Sequence, residues 1–120
     1  MPTQEHMKQA LQTYIDAFNA ADAATISGLY ADDAVVEDPV GSPPMNGRAA
    51  IEEFYKNAIA SGAKLSLDGP IRGSHGDRAA MAFTIEVPGM RIRAIDVMTF
   101  NEEGKIVRMD AHWGPDDMET

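Results

Sequence analysis

The spacing of apolar residues changes once along this chain, and that change limits the folds open to it. Met7, Leu11, Tyr14, Ile15 and Phe18 recur three or four residues apart, and Ile51, Phe54, Tyr55, Ala58 and Ile59 do so again. That is the period of a helix with one buried face. Further along, Leu65 and Leu67, then Met81, Phe83, Ile85 and Val87, alternate with their neighbours at the period of a half-buried strand. Helices first and strands later predict an α+β fold, with a curved antiparallel sheet carrying three helices from the N-terminal half. A curved sheet with helices on its concave side leaves a pocket between the layers.

The boundaries follow from capping and turn chemistry. Thr3 and Asp22 are placed to cap the first two helices, the second of which turns Ile26, Leu29 and Tyr30 inward. Val35-Val36 reads as a short strand leading to Asp38-Pro39, and Gly41-Ser42-Pro43-Pro44 as a loop. Gly62 stops the third helix. Pro88-Gly89 turns one strand into the next, Met90 to Phe100, which the Asn101–Gly104 turn closes. The last strand is predicted to face Val107, Met109, Ala111 and Trp113 inward and Arg108, Asp110 and His112 outward. The acidic tail, Asp116-Asp117-Met118-Glu119, reads as a solvated end. With no repeat, linker or low-complexity tract, residues 1–120 are expected to form one domain.

Charge and cysteine content narrow the function. The net charge is −9, which argues against nucleic acid or an anionic membrane surface as partner. There is no cysteine, so disulfides, thiolate catalysis and Cys-based metal sites are excluded. The start of the chain lacks a signal-peptide pattern, and no apolar run approaches a membrane helix, so a cytoplasmic setting is expected.

Asp96 breaks its local pattern most sharply. It shares a strand face with Ile92, Ala94, Met98 and Phe100, where an acid is costly unless paired. Buried there, it would be held neutral and would donate a hydrogen bond. An edge position, or pairing with Arg91 or Arg93, is the alternative, although both arginines have the opposite parity. Asp38 suits an Asx turn before proline, or else an ionised base at a pocket mouth. Tyr14, Tyr30 and Tyr55 all lie on inner helix faces, so they are core residues or members of a hydroxyl network. Trp113, the only tryptophan, packs or donates its indole N–H to a carboxylate. Met81, Met90, Met98 and Met109 suit an apolar core or pocket. His6, His75 and His112 have no metal-ligand spacing, and no phosphate loop or serine-nucleophile motif is present.

The run Tyr30-Ala31-Asp32-Asp33-Ala34-Val35-Val36-Glu37-Asp38-Pro39-Val40-Gly41 resembles the signature of the bacterial ketosteroid isomerases, or steroid Δ-isomerases. Tyr14 in the first helix, Gly47-Arg48 opening a helix with Phe54-Tyr55, and Ile95-Asp96-Val97 extend the resemblance over nearly the whole chain. It implies a cone-like α+β barrel of the nuclear transport factor 2 type, a homodimer, no cofactor and no metal, and a small apolar ketosteroid as substrate. By position, Asp38 would be the general base, and Tyr14 and Asp96 the oxyanion-hole donors. Tyr30 and Tyr55 would support the catalytic tyrosine. Trp113 and Met109 would line the steroid pocket, with Met81 and Phe83 beside them. The short Pro88-Gly89 hairpin and the chain end soon after Trp113 depart from the family and bear on the pocket rim.

Two other classes compete. A carrier of apolar molecules on the same fold would have no need of a buried carboxylic acid. Epoxide hydrolases on related folds use an Asp-Arg-Asp arrangement, and here Arg91, Arg93 and Arg108 all have outward parity. Nothing in the pattern marks an apolar surface for a protein–protein module.

Overall fold

The computed structural model describes all residues, Met1–Thr120. Helix α1 (Gln4–Asn19) begins where the Thr3 hydroxyl accepts the His6 N–H at 3.0 Å. Its inner face buries Met7, Leu11, Tyr14, Ile15 and Phe18 as the spacing predicts. The side-chain amide of Asn19 then does the work of a strand neighbour. It donates to the Leu65 carbonyl and accepts the Leu65 N–H, both at 2.8 Å, which ties the helix end to the sheet. Helix α2 (Ala23–Gly28) is capped by Asp22, whose carboxylate accepts the Thr25 N–H. Helix α3 (Arg48–Ala60) follows Gly47, whose φ of 90° is the left-handed conformation glycine permits. Fully buried Leu11, Ile26 and Ile51 contribute about 1.5–3 kcal/mol each to holding these helices on the sheet.

The strands are β1 (Tyr30–Glu37), β2 (Met45–Asn46), β3 (Lys64–Leu67), β4 (Arg78–Val87), β5 (Met90–Phe100), β6 (Ile106–His112) and β7 (Met118–Glu119). They form one sheet in the order β2-β1-β6-β5-β4-β3, with β7 added on β5. Most pairs are antiparallel, but β1 lies parallel to β6, so the sheet is mixed where an antiparallel one is expected. The reason is distance along the chain. Sixty-eight residues, the third helix among them, separate these strands, and local hairpin patterns carry no information about how they meet.

Two further expectations are corrected. A register shift at Thr99–Phe100 inserts an extra residue into β6, so Ile106 is fully buried and Val107 only half-buried. The acidic tail is exposed yet paired, since Met118 and Glu119 lie opposite Ile92 and Arg91 of β5. No helix is long and apolar enough to cross a membrane.

Candidate active site

Asp38 stands where β1 runs out. The loop after it is held by its neighbours: the Glu37 carboxylate accepts the Gly41 N–H at 2.7 Å, and the Val40 N–H bonds the Ala111 carbonyl at 2.8 Å. Arg108 holds Glu37 from the other side at 2.9 Å and also reaches Asp110. The loop-closing bond falls to Glu37, so the Asx-turn reading of Asp38 does not hold. Asp38 instead accepts the indole N–H of Trp113 at 2.9 Å. Burial pushes its carboxyl above the ordinary value, and the indole bond opposes that rise by favouring the anion.

Asp96 lies in the middle of the sheet, with Met81 of β4 and Ala111 of β6 directly opposite it on either side. It is 1% exposed, and both carboxylate oxygens are buried with no hydrogen-bond partner. The edge and salt-bridge alternatives fall away together, because Arg91 and Arg93 are exposed on the other face and pair with Glu119. Burial raises the Asp96 carboxyl well above its usual range, and the facing charge of Asp38 raises it further. Burial thus favours the neutral acid, a form with a proton to give, and no hydrogen-bond partner lies against either oxygen.

Tyr14 of α1 and Tyr55 of α3 meet Tyr30, which opens β1 and does not lie on a helix face as expected, because α2 ends at Gly28. The Tyr30 and Tyr55 hydroxyls are 2.7 Å apart, and the Tyr14 ring stands edge-on to Tyr55 with centroids 5.5 Å apart. Burial raises all three phenols, and the carboxyl of Asp96 adds to the rise. Each therefore stays protonated at neutral pH.

Tyr14, Asp38, Tyr55, Phe83 and Trp113 stand in the wall of a cavity of about 230 Å³ between the helices and the sheet, and Asp96 is not part of that wall. Apart from Asp38 and Ser61, that wall is apolar or aromatic, and no arginine, lysine or histidine reaches it. Met81, Met109 and Tyr30, expected to meet the substrate, are buried and do not reach the cavity wall. Sequence reasoning missed several wall residues, among them Phe54, Ser61, Ile85, Val87 and Ile92. Ile85, Val87 and Ile92 continue the inward parity of β4 and β5 into the hairpin. Half-burial at the hairpin end marks Ile85 and Val87, but it is a structural signal.

The chain has relatives of known kind. The SnoaL-like domain family matches residues 11–109. A steroid Delta-isomerase of Nocardioides simplex is 42% identical over 116 residues, with 93% of each chain covered. The epoxide hydrolase LasB of Streptomyces lasalocidi is 28% identical over nearly all of this chain, which spans 44% of that protein. A solved structure of SalBIII, an epoxide hydrolase/cyclase-like enzyme of pyran ring formation in salinomycin, superimposes with a TM-score of 0.91 at 29% identity. It covers all of this chain and 99% of its own. With the family matched over most of its length and the fold reproduced, this chain belongs to the SnoaL-like family, as a ketosteroid isomerase-like enzyme.

Proposed function

We propose that the protein moves the C5–C6 double bond of a 3-oxosteroid into conjugation at C4–C5. The observation that carries this reading is a pair of unequal, electrostatically coupled carboxyls, Asp38 in the wall of the apolar cavity and Asp96 buried in the sheet. Asp96 is sealed and without a partner, whereas Asp38 is half-buried and held by an indole N–H.

Asp38 takes a proton from C4, next to the ketone, and the electron pair moves towards the carbonyl oxygen to give a dienolate. The charge that develops there is met by the Tyr14 hydroxyl and the neutral Asp96 carboxyl. Both donate more strongly to an oxyanion than to a ketone, so they lower the transition state more than the bound ground state. Two such donors supply about 5–8 kcal/mol, at roughly 2.7–4 each. Asp38 then returns the proton to C6, and the double bond forms between C4 and C5. A carboxylate poised this way adds about 10²–10⁴-fold. The apolar wall suits a fused-ring hydrocarbon and keeps water from the dienolate. We propose further that the enzyme acts as a homodimer, as its family resemblance implies.

The direct test is ultraviolet absorbance of 5-androstene-3,17-dione mixed with the protein. The conjugated product absorbs where the substrate does not, so growth of that band above the buffer rate is the expected result. A bound steroid with no growth would make the protein a carrier, or an enzyme for a different ketone.

Trp113 gives a graded check. Trp113→Phe keeps most of the aromatic wall and removes the indole N–H that favours ionised Asp38. Its rate loss is expected to be roughly three- to tenfold, the worth of one ordinary hydrogen bond. The acid limb of its pH–rate profile should move to higher pH. A loss as large as that of removing the base would give the tryptophan a greater part in the chemistry.

A further inference from the structure

We propose that β7 and the turn closed by Asp117 form a clamp that positions Trp113, and through Trp113 the carboxylate of Asp38. The kinetic part of this rests on Asp38 as base, while the structural part stands without it.

The argument begins with strand pairing. β6 pairs with β5 as far as His112 opposite Ile95, and β7 resumes at Met118 opposite Ile92. Over that stretch the other edge of β5 is taken by β4, with Ile85 opposite Ile92, so β6 and β7 occupy the same edge in succession. Trp113 to Asp117 are thus a short excursion anchored at both ends. The turn within it is closed twice: the Asp117 carboxylate accepts the Gly114 N–H at 2.8 Å, and the Asp117 N–H donates to the Gly114 carbonyl at 3.0 Å. Both bonds fall on the residue after Trp113 and fix the direction in which the chain leaves it. Glu119 adds exposed ion pairs to Arg93 and Arg91 at 3.6 and 3.8 Å, which contribute little beside the backbone pairing.

Trp113 needs such anchoring because it has space on two sides. It lines the apolar cavity, and it also borders a wide outer depression with Val40, Arg93, Ile95, His112 and Asp117. The indole is therefore a partition whose placement depends on the chain that carries it. Facing Asp38 from the inner side are Tyr14 of α1, Tyr55 of α3 and Asp96 of β5. Around the outer depression stand Asp68, Arg93, His112 and Asp117. The indole N–H is the one hydrogen-bond donor recorded on the Asp38 carboxylate, so its alignment sets how well the anion is held.

Trp113 is the only tryptophan, so its emission reports the clamp directly. The full-length protein, Asp117→Ala, Asp117→Asn and a chain ended after Gly114 are compared by fluorescence against pH and by acrylamide quenching. Asp38→Asn serves as the blank for any titration belonging to that carboxyl. In Asp117→Ala the emission midpoint is expected to rise and quenching to increase. Its kcat is expected to fall roughly three- to tenfold, the worth of one hydrogen bond, with KM little changed. Asp117→Asn keeps an acceptor oxygen and should recover most of the loss, and the shortened chain should exceed Asp117→Ala.

Wild-type midpoint and quenching in Asp117→Ala would overturn the clamp, whatever the shortened chain does. If the emission does not respond to pH, the quenching ratio alone decides. Clamp signals in a protein that does not isomerise the steroid would overturn the proposed function and leave the clamp standing.

Discussion

Asp38→Asn is expected to lose about 10²–10⁴-fold in kcat, with steroid binding unchanged or tighter. The amide keeps the size of the carboxylate and an oxygen for the Trp113 indole N–H, so the cavity wall holds its shape. What disappears is the only carboxyl group on an otherwise apolar or neutral wall. No lysine, arginine or histidine there can take its place as base. Binding should not suffer, because the negative charge of Asp38 opposes ionisation of Asp96 and Tyr14. Removing it favours any ligand that places negative charge beside those two donors. The check is the enone absorbance assay run beside binding of a phenol that mimics the dienolate. Undiminished turnover with intact binding would remove Asp38 as the base.

Asp96→Leu is expected to lower the rate about 10²–10³-fold, the cost of removing one oxyanion donor. The same change should make the protein more stable at neutral pH. Asp96 is buried with both oxygens unpartnered, flanked by Met81 and Ala111, so leucine restores an apolar face at that point of the sheet. The sign of the pH dependence follows from the raised carboxyl. The folded protein holds a proton that the unfolded chain releases near the ordinary carboxyl value of 3.8. Stability from this group is therefore full below that value and falls as pH rises towards the raised folded value. Each pH unit within the window is worth about 1.4 kcal/mol. The advantage of Asp96→Leu in thermal unfolding should accordingly be small at pH 4 and grow towards pH 8. A rate equal to wild type would make Asp96 a structural residue, and a pH-independent difference in melting would mean that its carboxyl ionises in the folded state.

Local physics alone determined much of this protein. Helical spacing placed the inner face of α1, Thr3 and Asp22 marked the helix starts, and parity put Asp96 inward with Arg91 and Arg93 outward. These are properties of a residue and its near neighbours, so the sequence carries them. The catalytic assignments of Asp38, Tyr14 and Asp96 came from resemblance to a family. Spacing singled out Asp96 as a conflict and left Asp38 open between a turn residue and a base.

Tertiary structure decided what depends on segments far apart in the chain. Parallel pairing of β1 with β6 brings Asp38 to Trp113 across 75 positions, and no local pattern specifies that approach. The bulge that swaps Ile106 for Val107 arises from the partner strand, because a one-residue register change reverses which side chains face inward. Met81 and Met109 are as apolar as Ile85 and Val87, yet only the latter two reach the cavity wall. Apolar character determines that a residue is buried, and the curvature and pairing of the whole sheet determine what it is buried against. The acidic tail shows the same division. Its composition suits water, and its backbone is paired because β5 has a vacant edge beyond the end of β6.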